Sequence, residues 1–466
     1  MGELEEAGVV ETAAAVREGA VRAIEITSHL LARIEQLDPA LRAFVAVDAG
    51  RALQRAEALD AERASGHLRG PLHGVPVAYK DVCFVRGLPA ACGTDHPDYF
   101  SAAADCAVAR RLTDAGAITL GKLAMSQLAM GTLGLGERRP APCNPWAPDR
   151  IPGGSSSGCG VALAARLVAG AIGTDTGGSI RIPAACCGVV GLKPTLGSVS
   201  RAGVMPLSRS LDHVGPMARR TRDVALLFCV MAGARAPASA YRRLLDGQAP
   251  PVETVRVGVA DDDYFRDVSD EVAATMAQTR EVLQGLGVDV RRLALPDSGP
   301  MMAATGTIVR VEAAAEHAGL LGEPPDALEP LVRARLEAGL GLSAVDYVRA
   351  LRARAALRVR FIREVFGMVD VLLVPALPAR PLVVGEATGP VDRVAARMAT
   401  FAKYARLFNG LGVPALALPA GFTGDGVPLA VQLVARPFAE AALLGLGAAY
   451  EDATRWFRRR PPGAAC

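Results

Sequence analysis

A chain of 466 residues, 51% hydrophobic and 21% charged, carries enough apolar material for a large core, which excludes a disordered or linker-like protein. Its formal net charge of +3 comes from arginines spread along the chain. The densest run, Arg458-Arg459-Arg460, follows Trp456 and Phe457 and reads as a solvated tail behind a docking helix, so no nucleic-acid partner is expected.

Nine cysteines, odd in number and partly inside apolar runs such as Ala184-Ala185-Cys186-Cys187, suit reduced, buried thiols. There is no C-x-x-C pair, and the histidines are scattered, so no metal site is expected. The acidic N-terminal stretch lacks the features of a signal peptide, and no apolar run reaches the roughly eighteen residues of a membrane span. A cytoplasmic location without a membrane partner is the expectation.

In chain order, residues 3–64 read as helices: Leu30, Leu31, Ile34, Leu37 and Leu41 recur at helical spacing, and the alanine-rich stretch from Arg51 to Ala64 continues the pattern. Gly70-Pro71-Leu72-His73-Gly74 breaks it, and the strand Val75–Tyr79 ends at Lys80-Asp81. A helix over 102–115 and a strand at 118–120 follow. The run from Gly116 to Leu123 nearly spells a phosphate-binding loop, but Leu123 stands where magnesium would need a hydroxyl. Residues 128–144 form a Gly- and Pro-punctuated loop, long enough to lie over a site.

Two glycine-flanked serine clusters come next, Gly153-Gly154-Ser155-Ser156-Ser157-Gly158 and Gly177-Gly178-Ser179, separated by a helix-like and a strand-like apolar run. Residues 199–216 are loop-rich, and His213 within them reads as a structural residue. Beyond a helix at 221–232 and a connector at 234–251, strands are predicted at 255–260, 288–295, 370–375, 415–419 and 429–434. Helices are predicted at 268–286, 301–319, 344–366, 396–407 and 440–450. This alternation predicts one α/β domain, with a mixed, mainly parallel, doubly wound sheet covered by helices on both faces. Residues 1–64 would pack on it as N-terminal helices, 65–456 would form the catalytic core, and 457–466 a tail.

Glycines at 177 and 178 let the backbone before Ser179 turn tightly and aim successive N–H groups at one point, as an oxyanion hole requires. Serine is a poor nucleophile until a base takes its proton, and a lysine desolvated into neutrality can be that base. The candidates are Ser155 and Lys80.

These residues carry a resemblance. The segments Pro152-Gly-Gly-Ser-Ser-Ser-Gly158, Gly173-Thr-Asp-Thr-Gly-Gly-Ser-Ile-Arg-Ile-Pro183, Gly188-Val-Val-Gly-Leu-Lys-Pro194, Gly74-Val-Pro-Val-Ala-Tyr-Lys-Asp81 and Pro414-Ala-Leu-Ala-Leu-Pro-Ala-Gly421 together resemble the amidase signature family, free-standing bacterial-type amidases among them. Lys80 and Ser155 lie 75 residues apart and Ser155 and Ser179 lie 24 apart, as in that family. The resemblance implies a Ser-cisSer-Lys triad: Ser179 as acylated nucleophile, Ser155 as bridging serine after a cis peptide, and Lys80 as base. It further implies an oxyanion hole from the N–H groups of Thr176, Gly177, Gly178 and Ser179. Asp175 and Arg181 would hold these loops, and Met130 and Gly131 would approach the substrate.

The implied reaction is cleavage of the C–N bond of a small-molecule carboxamide through an acyl-enzyme, without cofactor or metal. A homodimer is left open. Two alternatives stand beside it: a glutaminase subunit of a tRNA-dependent amidotransferase, and a serine esterase with Ser156 as nucleophile, since Gly154–Gly158 also spells G-x-S-x-G. Cys159, Ala124 and Gln127 depart from the family's usual residues, and the loop from Leu133 to Cys143 is shorter than expected.

Overall fold

Short apolar strands sort their side chains alternately to two sides, and in the central strands here both sides are buried. The computed structural model describes residues 4–136, 140–236, 238–248, 251–324 and 327–462. Among them the strands are β1 (Phe44–Val47), β2 (Pro76–Lys80), β3 (Ile118–Leu123), β4 (Gly170–Asp175), β5 (Val190–Lys193), β6 (His213–Ala218), β7 (Arg256–Ala260), β8 (Asp289–Leu293), β9 (Val371–Pro375), β10 (Ala415–Phe422) and β11 (Pro428–Ala435). They form one sheet in the order β1-β3-β2-β4-β6-β5-β10-β11-β9-β7-β8.

Val77 and Tyr79 of β2, Ile172 of β4, and Leu416 and Leu418 of β10 join a core completed by the helices Ala107–Asp114, Thr221–Ala232 and Glu440–Thr454. Their strand neighbours Ala78, Ala171 and Ala417 face the opposite core, under the helices Ala23–Leu41, Ala49–Ala64, Ser157–Ala164 and Arg181–Cys186. Beyond β10, Leu372 and Val374 of β9 meet Phe361, Val365, Leu407 and Phe408 from the helices Ala344–Val365 and Lys403–Leu411. Each fully buried Leu, Val or Phe contributes about 1.5–3 kcal/mol, so the layers hold by their combined apolar area.

The expected α/β sheet with helices on both faces is therefore present, but its mainly parallel character needs correcting. Four pairings are parallel, β2–β3, β2–β4, β7–β8 and β7–β9. Six are antiparallel: β1–β3, β10–β11, β5–β10, β9–β11, β4–β6 and β5–β6. The short turn between β10 and β11 permits only antiparallel pairing, and these two strands join the middle of the sheet to its β9 side.

Several elements escaped the pattern. β1 is a four-residue strand between two helices, and β6 lies inside a stretch that reads as loop. The connector expected at 234–251 contains the helix Ala238–Leu245, and the helix Pro330–Leu340 has no counterpart among the expected elements. The single helix expected at 396–407 is two, Val391–Phe401 and Lys403–Leu411. At the C-terminus Trp456 lies 5.8 Å from the ring of Phe422, and Arg220 stacks on Phe457. Of the expected tail and the shortened loop, residues 463–466 and 137–139 lie outside the described residues. No described helix is long and apolar enough to cross a membrane.

Lys122, from the near phosphate-loop run, is a fully buried residue of β3 whose Nζ donates to Asp81 Oδ1 at 2.9 Å and to the Pro89 carbonyl at 2.6 Å. Removing one member of a buried ion pair strands the other charge. Lys122→Met should destabilise the protein by about 3–5 kcal/mol, seen as an earlier urea unfolding midpoint. A midpoint unchanged from the wild type would show that the pair contributes nothing to the fold.

Candidate active site

Parallel pairing of β2 with β4 puts their carboxyl ends side by side, where open α/β sheets present their ligand crevices. Lys80 is the last residue of β2, and Thr174 and Asp175 end β4. Alternation sends Lys80 to the same face as Ala78, toward the helix Ser157–Ala164 and the loop before it.

Lys80 is fully buried. Its Nζ lies 2.7 Å from Ser155 Oγ and 2.8 Å from Thr174 Oγ1, and among the described residues it makes no ion pair. Burial brings its pKa down to about 8, with only a partial opposing pull from more distant groups. Ser155 follows a cis peptide bond from Gly154. Glycine is needed at 154 because a Cβ there would stand 2.3 Å from the Gly131 carbonyl oxygen.

The second serine loop is stitched to the first: the Ser156 N–H donates to the Ser179 carbonyl at 3.2 Å, and Ser156 Oγ donates to the Thr174 carbonyl at 3.3 Å. Ser179 is only 5% exposed and lines a cavity of about 440 Å³, together with Thr176, Gly177, Met130 and Gly131. Lys80, Ser155, Ser179, Met130 and Gly131 thus converge from separated parts of the chain.

Asp175 holds the second loop. Its carboxylate accepts from the Gly178 N–H at 2.7 Å, the Ile180 N–H at 3.2 Å, Arg181 Nε at 2.9 Å and Asn409 Nδ2 at 2.8 Å. Burial alone would raise its pKa, but the Arg181 guanidinium, with Lys193 and Asn409, holds it well below the usual carboxylate range. Arg181 also donates to Gln432 Oε1 and Asn409 Oδ1, so the helix Lys403–Leu411 and β11 are tied to the same point.

The geometry corrects one expectation. The Gly178 N–H is committed to Asp175, whereas no protein acceptor among the described residues takes the N–H groups of Thr176, Gly177 and Ser179. The expected four-donor arrangement therefore loses the amide of Gly178, a residue at φ +121° whose N–H points to the carboxylate that anchors the loop.

Sequence reading missed Thr174, Asp212, Asn409 and Gln432. Thr174 sits inside the quoted glycine-rich run. Asp212 accepts from Thr176 Oγ1 at 2.5 Å, and burial brings its pKa up to about 6. Asn409 reaches the site from the helix Lys403–Leu411 and Gln432 from β11, and nothing local marks them. His213 lies beneath the site, its Nδ1 2.7 Å from the Leu211 carbonyl, and burial with nearby Lys193 and Arg181 pushes its pKa well below the usual histidine value.

Of the departures, Cys159 is buried under β4, with burial pushing its thiol up to about 12. Gln127 clamps the segment before the helix Pro330–Leu340, donating to the Ala327 carbonyl and accepting the Glu329 N–H. Among the described residues no group of His, Cys, Asp and Glu could hold a metal ion.

Comparison with known proteins matches the family described as Amidase to residues 25–444. "Putative amidase AmiD" of Mycobacterium tuberculosis H37Rv is 41% identical over 97% of this chain and 95% of its own length. A glutamyl-tRNA(Gln) amidotransferase subunit of Thioalkalivibrio sulfidiphilus is 37% identical over 99% of this chain and 100% of its own. Among solved structures, 6-aminohexanoate cyclic dimer hydrolase complexed with substrate superposes with a TM-score of 0.89 at 27% identity, covering 99% of both chains.

A methyl group at position 178 would meet Ile182 Cδ1 at 2.6 Å and Ala405 Cβ at 2.8 Å at a φ that L-residues rarely adopt. Gly178→Ala should slow labelling of Ser179 by a serine-directed phosphonate by about 10²-fold while far-ultraviolet circular dichroism is retained. Labelling at the wild-type rate would show that the loop tolerates the shift.

Proposed function

From the premise that the chain belongs to the amidase family and is an amide hydrolase, we propose that it cleaves carboxamides through an acyl-enzyme on Ser179, with Ser155 and Lys80 relaying the proton. The observation that carries this reading is the buried amine of Lys80, without an ion-pair partner among the described residues, 2.7 Å from Ser155 Oγ. An amine with a pKa near 8 is uncharged in about one molecule in ten at pH 7, against about one in three thousand for an ordinary lysine. Its lone pair then accepts the Ser155 proton while an N–H donates to Thr174 Oγ1.

Ser155, relieved of its proton, draws that of Ser179, and Ser179 Oγ attacks the amide carbon. The N–H groups of Thr176, Gly177 and Ser179 receive the developing oxyanion, which is where such donors act most strongly. Collapse of the tetrahedral intermediate breaks the C–N bond, and Ser155 hands the leaving amine a proton. Water, activated by the same relay, frees the carboxylic acid. Asp175 and Arg181 position the loop without touching the reacting atoms.

The esterase alternative has less support. Ser156 Oγ is spent on the Thr174 carbonyl, while His317 bonds Tyr99 and the Pro206 carbonyl. Likeness to the amidotransferase chain keeps glutamine hydrolysis as the second reading.

Because the working form of Lys80 is the neutral one, kcat/KM for a simple carboxamide should rise with pH, reach half its maximum near pH 8 and level off above it. Lys80→Met should lower it by about 10²–10⁴-fold and abolish the rise. A profile flat from pH 6 to 9 with chemistry rate-limiting would remove Lys80 as base. Intact-mass spectrometry gives the complementary check: Ser179→Ala should carry no acyl adduct, whereas Ser156→Ala should still turn over. The reverse pattern would favour the esterase reading.

A further inference from the structure

The cavity in front of Ser179 is lined by apolar residues, including Val309 and Leu331, and by three arginines from three different helices: Arg310, Arg335 and Arg406. No carboxylate is among its lining residues. Elsewhere at this end of the sheet arginines find partners, Arg181 with Asp175 and Arg209 with Glu316. Among the described residues none of the three cavity arginines makes an ion pair.

Their hydrogen bonding is sparse as well. Arg335 Nη1 donates to the Met130 carbonyl at 2.9 Å, and Arg310 Nε donates within its own helix to Gly306. Arg406 Nε is buried without a partner, and a Cβ on Gly177 would stand 3.3 Å from it, so this guanidinium lies against the loop that carries the nucleophile. Burial, reinforced by repulsion from Arg406 and Arg310, brings the Arg335 pKa down to about 10, and burial and Arg310 lower that of Arg406. Guanidiniums gathered in a partly apolar pocket repel one another and lack the anion their fork geometry fits.

We propose that this cavity takes amides with a hydrocarbon body and a carboxylate, the anion being held among Arg310, Arg335 and Arg406. A compensating ammonium on the substrate would find no acidic partner on the cavity wall, so a monoamide of a dicarboxylic acid fits better than an amino-acid amide. This rests on the reading of Ser179 as the nucleophile that opens amides.

The test uses the full chain and three amides of similar size: glutaramate, L-glutamine, which adds an α-ammonium, and 5-methylhexanamide, in which an isopropyl group replaces the carboxylate. Glutaramate should exceed both others in kcat/KM by at least about tenfold. Arg406→Gln and Arg335→Gln should bring the ratio of glutaramate to 5-methylhexanamide toward one, chiefly through the KM for glutaramate. Glutarate should also slow phosphonate labelling of Ser179 in the wild type, and less so in Arg406→Gln, a readout that needs no amide turnover.

Hydrolysis of L-glutamine or 5-methylhexanamide at least as efficient as that of glutaramate would overturn the proposal while leaving the amidase reading intact. Protection by glutarate that is lost in the arginine variants, without hydrolysis of any amide, would uphold the anion site and overturn the amidase reading. Labelling indifferent to glutarate in every form would overturn the anion site.

Discussion

The buried pair of Asp175 and Arg181 is the constraint on which the catalytic end of the sheet depends. Both side chains are out of solvent, and such a pair stabilises only if its remaining donors and acceptors are satisfied. Here they are: the carboxylate takes two amides of its own loop and an Asn409 amide, while the guanidinium reaches Gln432 and Asn409. Three separated segments therefore meet at one point, the loop 175–181, the helix Lys403–Leu411 and β11, and this point anchors residues 176–179. The geometry in front of Ser179 is a by-product of satisfying a buried charge.

Three lysines among the described residues are fully buried, and their surroundings sort them into different roles. Lys122 has a carboxylate at 2.9 Å, so it stands in the structure as half of an ion pair. Lys193 lies against two backbone carbonyls, with burial and the nearby Arg181 lowering its pKa well below the ordinary value. Lys80 faces two hydroxyls. Hydroxyls satisfy an amine's hydrogen bonds without compensating a charge, so desolvation leaves Lys80 close to giving up its proton at moderate pH. The same residue type is thus held as half of an ion pair at one position and left close to shedding its proton at another, according to what stands opposite it.

The cavity extends this electrostatic pattern. Cations gathered without partners in a partly apolar pocket repel one another, and such a site gains when a ligand supplies the missing charge. Arg310, Arg335 and Arg406 come from helices beyond the signature segments, so under the proposed reading the signature loops would carry the chemistry and the later helices would shape what is admitted to it.

How much was legible in advance follows from how local each feature is. The strands from 371 onward, the closing helix, the two serine loops and Lys80 at a strand end are written in short stretches, because periodicity and glycine flanks act over a few residues. Strand direction was not legible: β6 lay hidden in a run that reads as loop, and the antiparallel pairing of β5 with β10 joins segments far apart in the chain. By itself the sequence determined the α/β class and the spacing of the lysine and two serines. Only the tertiary structure decided that Gly178 gives its amide to Asp175 and that three distant arginines share one cavity. Those outcomes depend on which charges are buried together, and burial is a property of the packed chain.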